Sequence, residues 1–188
     1  MSQLVKFGLT LGVICLAATL VLAVTYEVTK PKIEAGLKAE EERALKLIMP
    51  SADSFKEKVL DGIEYFEALK GPAVVGYCVR VAGIGYSGYI RMIVGVDLNG
   101  IIKGVSVLEH SETPGLGAKI VEIRPGDSEP WFLKQFKGKN AGNIAVKKDT
   151  SPEPGRRIDA ITGATISSKA VTDAIRKTVD DLLSRLKK

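Results

Sequence analysis

Apolar residues follow three rhythms along this chain, and each rhythm predicts a different element. The first has no period. FGLTLGVICLAATLVLAVTY, from Phe7 to Tyr26, is twenty residues without a charge. As a helix it would rise roughly 30 Å, enough to cross a hydrocarbon core. It is longer than the apolar stretch of a cleaved signal peptide, and VLAVTYE is a poor small-x-small cleavage site. An uncleaved single-pass anchor at 7–26 follows, with 1–6 as a short cytoplasmic N-terminus. The second rhythm is helical. PKIEAGLKAEEERALKLIMP places Ile33, Leu37, Ala44, Leu45 and Ile48 on one face, which predicts an amphipathic juxtamembrane helix within 27–50, ended by Pro50. Val171, Ile175, Val179, Leu182 and Leu186 form the stripe of a last helix. Its final turn carries Arg185, Lys187 and Lys188, which complement the helix dipole.

The third rhythm is alternation. It predicts strands in AVVGYCVRV (73–81), YSGYIRMIVGVD (86–97) and IIKGVSVLEH (101–110), the last two joined by the hairpin signal Asn99-Gly100. A short helix is entered through Asp127, Ser128 and Pro130, with Trp131, Phe132 and Phe136 on its apolar side. One more strand, Ile144–Lys147, leads into a Pro/Gly turn in KKDTSPEPGRR. The expected class is α+β, with one transmembrane helix followed by a single domain, 51–188, built on a mainly antiparallel sheet with flanking helices.

Composition narrows the function classes. Of the 188 residues, about 160 follow the span, enough for one domain with a real core. Cys15 lies in the span and Cys78 in a strand, so no disulfide framework is available. The net charge of +5 comes from basic residues interleaved with acids, with no aromatic-basic patch, which argues against nucleic acid. Membrane lipid head groups or a partner's surface suit it better. Charge does not orient the span. Lys6 precedes it and Lys30, Lys32 and Lys38 follow, which alone would place the domain inside, yet large domains cross largely regardless of such counts.

Much familiar chemistry is missing. GIGYSG (83–88) matches the dinucleotide pattern but leads into an alternating strand and not into a helix, so it is a turn. His110 is the single histidine, which leaves no material for a His-rich metal site or a Ser-His-Asp triad, and no GxxxxGK[ST] occurs. No catalytic residue and no metal ligand is assigned.

Two stretches carry information. In HSETPGLG, Pro114-Gly115 suits the centre of a type II turn, where glycine takes the positive φ, and Gly117 allows a second close backbone approach. In DAITGATISSKAV, four hydroxyls (Thr162, Thr165, Ser167, Ser168) gather where a helix begins, at unpaired N–H groups that favour an anion. An ordinary cap by Ser167 or Thr165 explains one of them. It does not explain why Gly163-Ala164 leaves the Thr165 hydroxyl uncovered; a phosphate bound or bonded there would use every feature. A reversible extracytoplasmic module for a phosphorylated ligand is therefore one outcome of the residues alone.

DAITGATIS resembles the flavinylation motif D-x-x-[ST]-G-A-T-x-[ST] of the FMN-binding domain family, and ETPGLG resembles that family's second signature. With the anchor, the resemblance covers nearly the whole chain. It is greatest to the G subunit of Rnf-type ion-translocating ferredoxin:NAD oxidoreductase complexes. The C subunit of the sodium-pumping NADH:quinone reductase shares both motifs on a usually longer chain. The resemblance implies FMN joined through its phosphate to Thr165 by a separate flavin transferase that uses FAD and Mg²⁺ and releases AMP, with Asp159 in the recognised sequence. It also implies that Glu112, Thr113, Leu116 and Gly117 pack on the flavin and that Thr162, Gly163 and Ala164 lie near its phosphate end. The domain would face away from the cytoplasm and relay electrons between other membrane subunits, as part of an oxidoreductase and not a complete enzyme. Thr162 stands where serine is frequent, and Ile166 where Val or Leu also occur; neither disturbs the linkage.

Overall fold

The structure is a computed structural model that describes residues 3–146 and 155–186. Residues 147–154, which hold most of the expected Pro/Gly turn and the last residue of the strand placed at Ile144–Lys147, lie outside the described residues, as do Lys187 and Lys188. Helix α1, Gln3–Ile48, is a single element that takes in both helical segments expected before Pro50 and contains Pro31 without a break. Its most apolar window has a mean hydropathy of 2.5, so α1 is long and apolar enough to cross a membrane. Residues up to Glu40 form one unit, and a compact unit begins at Glu41.

The compact unit is built on a five-stranded antiparallel meander in the order β1 (Ser54–Leu60), β2 (Ile63–Lys70), β3 (Ala73–Ile84), β4 (Tyr89–Asp97) and β5 (Ile102–His110). Three of these strands follow the alternation of the sequence. The first two, β1 and β2, were not expected. They are joined through Asp61 (φ +47°) and Gly62 (φ +84°), an Asp-Gly pair with the positive φ angles a two-residue hairpin needs. Between β4 and β5, Asp97 acts as the hinge. One carboxylate oxygen accepts from the N–H groups of Asn99 and Ile101, each at 2.9 Å, and the other meets Lys103 at 2.9 Å. Burial opposes charge on Asp97, but these donors outweigh it and hold its carboxyl below the usual range.

Each face of the sheet has its own core. On one face Val79, Val81, Ile90, Met92, Val94 and Val96 meet the α3 helix, Thr165–Leu186, through Val171, Ile175, Val179 and Leu182. The segment after β5 closes this core with a 3₁₀ turn at Gly117–Val121 and the one-turn helix α2, Trp131–Lys134, where Phe132 and the following Phe136 are buried. A short parallel pair, β6 (Ala145–Val146) and β7 (Arg157–Ile158), completes it. Gly83 lets α3 lie close on β3, since a Cβ there would sit 2.8 Å from the Ala170 carbonyl oxygen.

On the other face, Ala44, Leu45, Ile48 and Met49 pack on Phe66, Ala68, Cys78 and Ile93. The seat is a groove of glycines on three adjacent strands. A Cβ on Gly95 would overlap Ile48, one on Gly76 would lie 2.7 Å from the Met49 methyl, and one on Gly104 3.5 Å from the Ile48 Cα. Register shifts between β4 and β5 at Gly95/Val96 let both Ile102 and Val105 face the α3 side, where strict alternation would send one of them away. Arg80 closes the edge of this face, reaching Glu41 at 2.5 and 2.8 Å, with Glu57 and Glu64 beside it.

Candidate functional site

Two turns of the same kind face each other at one end of the sheet. In the first, Leu116 N–H donates to the Thr113 carbonyl at 3.2 Å, and Gly115 at the third position has φ +77°. This is the type II turn that Pro114-Gly115 predicts. In the second, Ala164 N–H donates to the Ile161 carbonyl at 2.9 Å and Gly163 has φ +80°. A Cβ on Gly163 would touch Leu116 at 3.3 Å, so the two turns meet closely. Between them opens a pocket of about 460 Å³, lined by Glu112, Thr113, Leu116, Gly117, Gly163, Ala164, Thr165, Ile166 and Ser167, and by Tyr86 from the GIGYSG turn. The two signature segments, far apart in sequence, thus share one cleft. Asp159 and Thr162 are not among its lining residues. The Asp159 backbone is held at both ends by the Gln135 side chain (2.8 and 3.2 Å), and its carboxylate pairs with Arg157 at 2.6 Å.

The four hydroxyls of the second segment have different fates. Ser168 Oγ is buried, accepts from Ile161 N–H at 2.9 Å and donates to the Ala164 carbonyl at 2.9 Å, fixing the turn that starts α3. Ser167 Oγ is buried and donates to Glu112 at 2.5 Å. Thr162 and Thr165 are exposed, and only Thr165 lines the pocket. Neither Ser167 nor Thr165 caps the helix. Thr165 is its first residue, so the residue before it is Ala164, which has no capping side chain. Helix geometry leaves the N–H groups of Thr165, Ile166 and Ser167 without carbonyl partners, and among the described residues no side chain accepts from them.

That arrangement suits an anion beside a free hydroxyl. The three N–H groups and the positive end of a 22-residue helix favour a phosphate. The pocket's volume lies within the usual range for small-molecule and cofactor sites, and Tyr86, Leu116 and Ile166 give it apolar walls. FMN, which has a phosphate at one end and a flat aromatic ring system at the other, fits this donor set. Sequence reading misses Tyr86, whose segment it treats as a turn alone, and Ser167 and Ile166 as lining residues. The GIGYSG segment finishes β3 with Gly83 and Ile84 and then turns at Gly85–Gly88, where Gly85 N–H donates to the Gly88 carbonyl at 2.8 Å, and its Tyr86 carries a wall of the cleft. His110 ends β5, and its Nδ1 accepts from the Glu112 N–H at 3.3 Å.

Comparison with known proteins gives the chain its relatives. The FMN-binding domain family matches residues 85–180, and the RnfG N-terminal region matches residues 1–48. The G subunit of the proton-translocating ferredoxin:NAD(+) oxidoreductase complex of Clostridium ljungdahlii is 33% identical over 92% of this chain and 88% of its own. That of the Na(+)-translocating complex of Acetobacterium woodii is also 33% identical, over 93% and 89%. The G subunit of the ion-translocating oxidoreductase complex of Methanosarcina acetivorans is 34% identical over 95% and 94%. Among solved structures, the C subunit of the Na(+)-translocating NADH-quinone reductase from Parabacteroides distasonis is similar with a TM-score of 0.54 at 28% identity. The match covers 67% of this chain and 63% of that one, under two thirds of its length. Shewanella oneidensis NqrC shares the fold, with a TM-score of 0.51 at 23% identity over 72% of each chain. With an FMN-binding domain behind an RnfG-type N-terminal helix, and relatives matched nearly end to end, the chain belongs to the RnfG family, the G subunits of Rnf-type ion-translocating oxidoreductase complexes.

Proposed function

We propose that the chain is the membrane-anchored electron-transfer subunit of an Rnf-type ferredoxin:NAD oxidoreductase complex, carrying FMN as a phosphoester on Thr165. One observation carries the attachment point. Of the four hydroxyls around the start of α3, Thr165 alone is both exposed and in the wall of the pocket. Attachment would form a bond from Thr165 Oγ to the FMN phosphorus, with AMP leaving from FAD on a separate transferase. The N–H groups of the first turn of α3 would hold the phosphate, while Thr113, Leu116 and Gly117 would border the ring and the exposed Tyr86 and Ile166 would flank it. Thr162, Gly163 and Ala164 shape the turn at the phosphate end, and Asp159, held by Gln135 and Arg157, would be offered to the transferase. Bound FMN supplies reversible electron transfer that the side chains do not.

An anchored domain outside the cytoplasm meets no pool of FMN, so a dissociable cofactor would be lost by mass action. A covalent ester removes that loss. The relatives, themselves G subunits, favour the Rnf-type assignment over a quinone-reductase C subunit.

The test is peptide mass spectrometry after co-expression with a flavin transferase. Cleavage after Arg157 and Lys169 gives IDAITGATISSK, which holds all four hydroxyls, so fragmentation must assign the site. The expected adduct is FMN less one water on Thr165, with flavin fluorescence that survives denaturing electrophoresis. Thr165→Ala should abolish both and stop electron flow while changing stability by no more than about 0.5 kcal/mol, because an exposed side chain is lost. Thr162→Ala should keep the flavin. An adduct on Thr162, Ser167 or Ser168 would end the assignment, and flavin lost on denaturation would favour a reversible phosphate-ligand module.

A further inference from the structure

Glu112 is the one charged residue buried among the described residues, 5% exposed. A buried carboxylate costs free energy unless donors or a counter-charge meet it. Among the described residues no Lys or Arg pairs with it; its partners are neutral and come from two other segments. Oε1 accepts from Ser87 N–H at 3.1 Å, in the turn between β3 and β4, and Oε2 accepts from Ser167 Oγ at 2.5 Å, in the first turn of α3. The surroundings are cut to its shape. A Cβ on Gly85 would overlap Oε1 and one on Gly117 would overlap Oε2. Ser87 Oγ and Thr113 Oγ1, 3.1 Å apart, add a second link between two of the same segments.

Both oxygens are therefore engaged with the protein, which is a different role from packing on a ring. We infer that Glu112 is a positioning residue: its carboxylate ties the Gly85–Gly88 turn, the Glu112–Gly117 loop and the start of α3 into one rigid wall, and so sets where Thr165 stands. The joint itself is independent of the function proposed above; its effect on attachment rests on that reading.

Hydrogen–deuterium exchange on the full-length chain in detergent, prepared without a transferase, tests the joint. Glu112→Ala and Ser167→Ala should each raise exchange on the order of tenfold at the hydrogen-bonded amides of the loop, Leu116 and Ala118, and of the start of α3, Ala164 and Ser168. Glu112→Ala should also raise it at 85–88, while the strands β3 and β4 stay protected in both. The double variant should open the loop and α3 amides no further than Glu112→Ala alone, since the Ser167–Glu112 bond is already lost there. Glu112→Gln can accept from Ser87 N–H and donate to Ser167 Oγ, so it should restore protection. Attachment of FMN to Thr165 by added transferase should fall at least tenfold in both alanine variants and recover in Glu112→Gln. Exchange confined to the substituted residue's own segment, additive effects in the double variant, or no rescue by glutamine would overturn the inference. If wild-type protein takes no covalent FMN, the flavin reading fails, and the exchange data still decide the joint.

Discussion

At the scale of single residues, two glycines of the TPGLG turn differ in what they do. Gly115 has φ +77° and open space where a Cβ would lie, so its requirement is purely conformational. Gly115→Val should strain the loop by about 1–3 kcal/mol and loosen the ring's seat. The flavin should remain attached with an altered absorption spectrum and potential. An unchanged spectrum and potential would mean that this loop does not touch the ring. Gly117 is needed for space. Its Cβ would overlap Glu112 and lie 2.7 Å from Ser167 Oγ, so Gly117→Ala should lower thermal stability by about 1–3 kcal/mol even in unmodified protein. The positive φ of Gly115 was legible because a type II turn is local. The neighbour of Gly117 was not, because Ser167 approaches from a segment far along the chain. The same limit explains the serines: a run of hydroxyls at a helix start does not reveal which are buried.

Among the elements, legibility followed how local the stabilising contacts are. The strands β3, β4 and β5 alternate clearly because one face of each contributes to the core that α3 and α2 close. The β1–β2 hairpin was passed over although Asp61-Gly62 marks it, since β1 is mostly exposed and shows little apolar alternation. The last helix begins six residues before its apolar stripe, where the first turn is held by Ser168 and not by burial of large side chains. The glycine groove under Ile48 and Met49 had no sequence signal at all, because glycines read singly look like weak strand positions. Gly95→Val should displace Ile48 and cost on the order of 1–3 kcal/mol, read as a lowered Tm. Asp97→Ala should cost about 1–3 kcal/mol by freeing two N–H groups and Lys103. Because the folded Asp97 carboxyl lies below its unfolded value, its contribution is complete above the usual carboxylate range. It fades as pH falls through the lower folded value. Wild type and Asp97→Ala should therefore differ in stability at neutral pH and converge in strong acid.

For the whole molecule the open quantity is the side of the membrane on which the FMN-binding domain stands. The lysines after the span, Lys30, Lys32 and Lys38, favour the inside, whereas a cofactor fixed by an ester answers a need that exists only outside. The cysteines give a clean test. Cys15 lies in the apolar part of α1, and burial pushes the Cys78 thiol up to about 12, so Cys78 carries almost no reactive thiolate at neutral pH. A cysteine placed at Leu98, 51% exposed in the turn between β4 and β5, would then be the reactive thiol. In intact cells, Leu98→Cys should be labelled by a membrane-impermeant maleimide, and protease added to protoplasts should digest the chain beyond Glu27. Labelling that appears only after the membrane is opened, with digestion only in inside-out vesicles, would place the domain in the cytoplasm. It would also remove the physical reason for a covalent flavin, since a cytoplasmic domain could rebind FMN from solution.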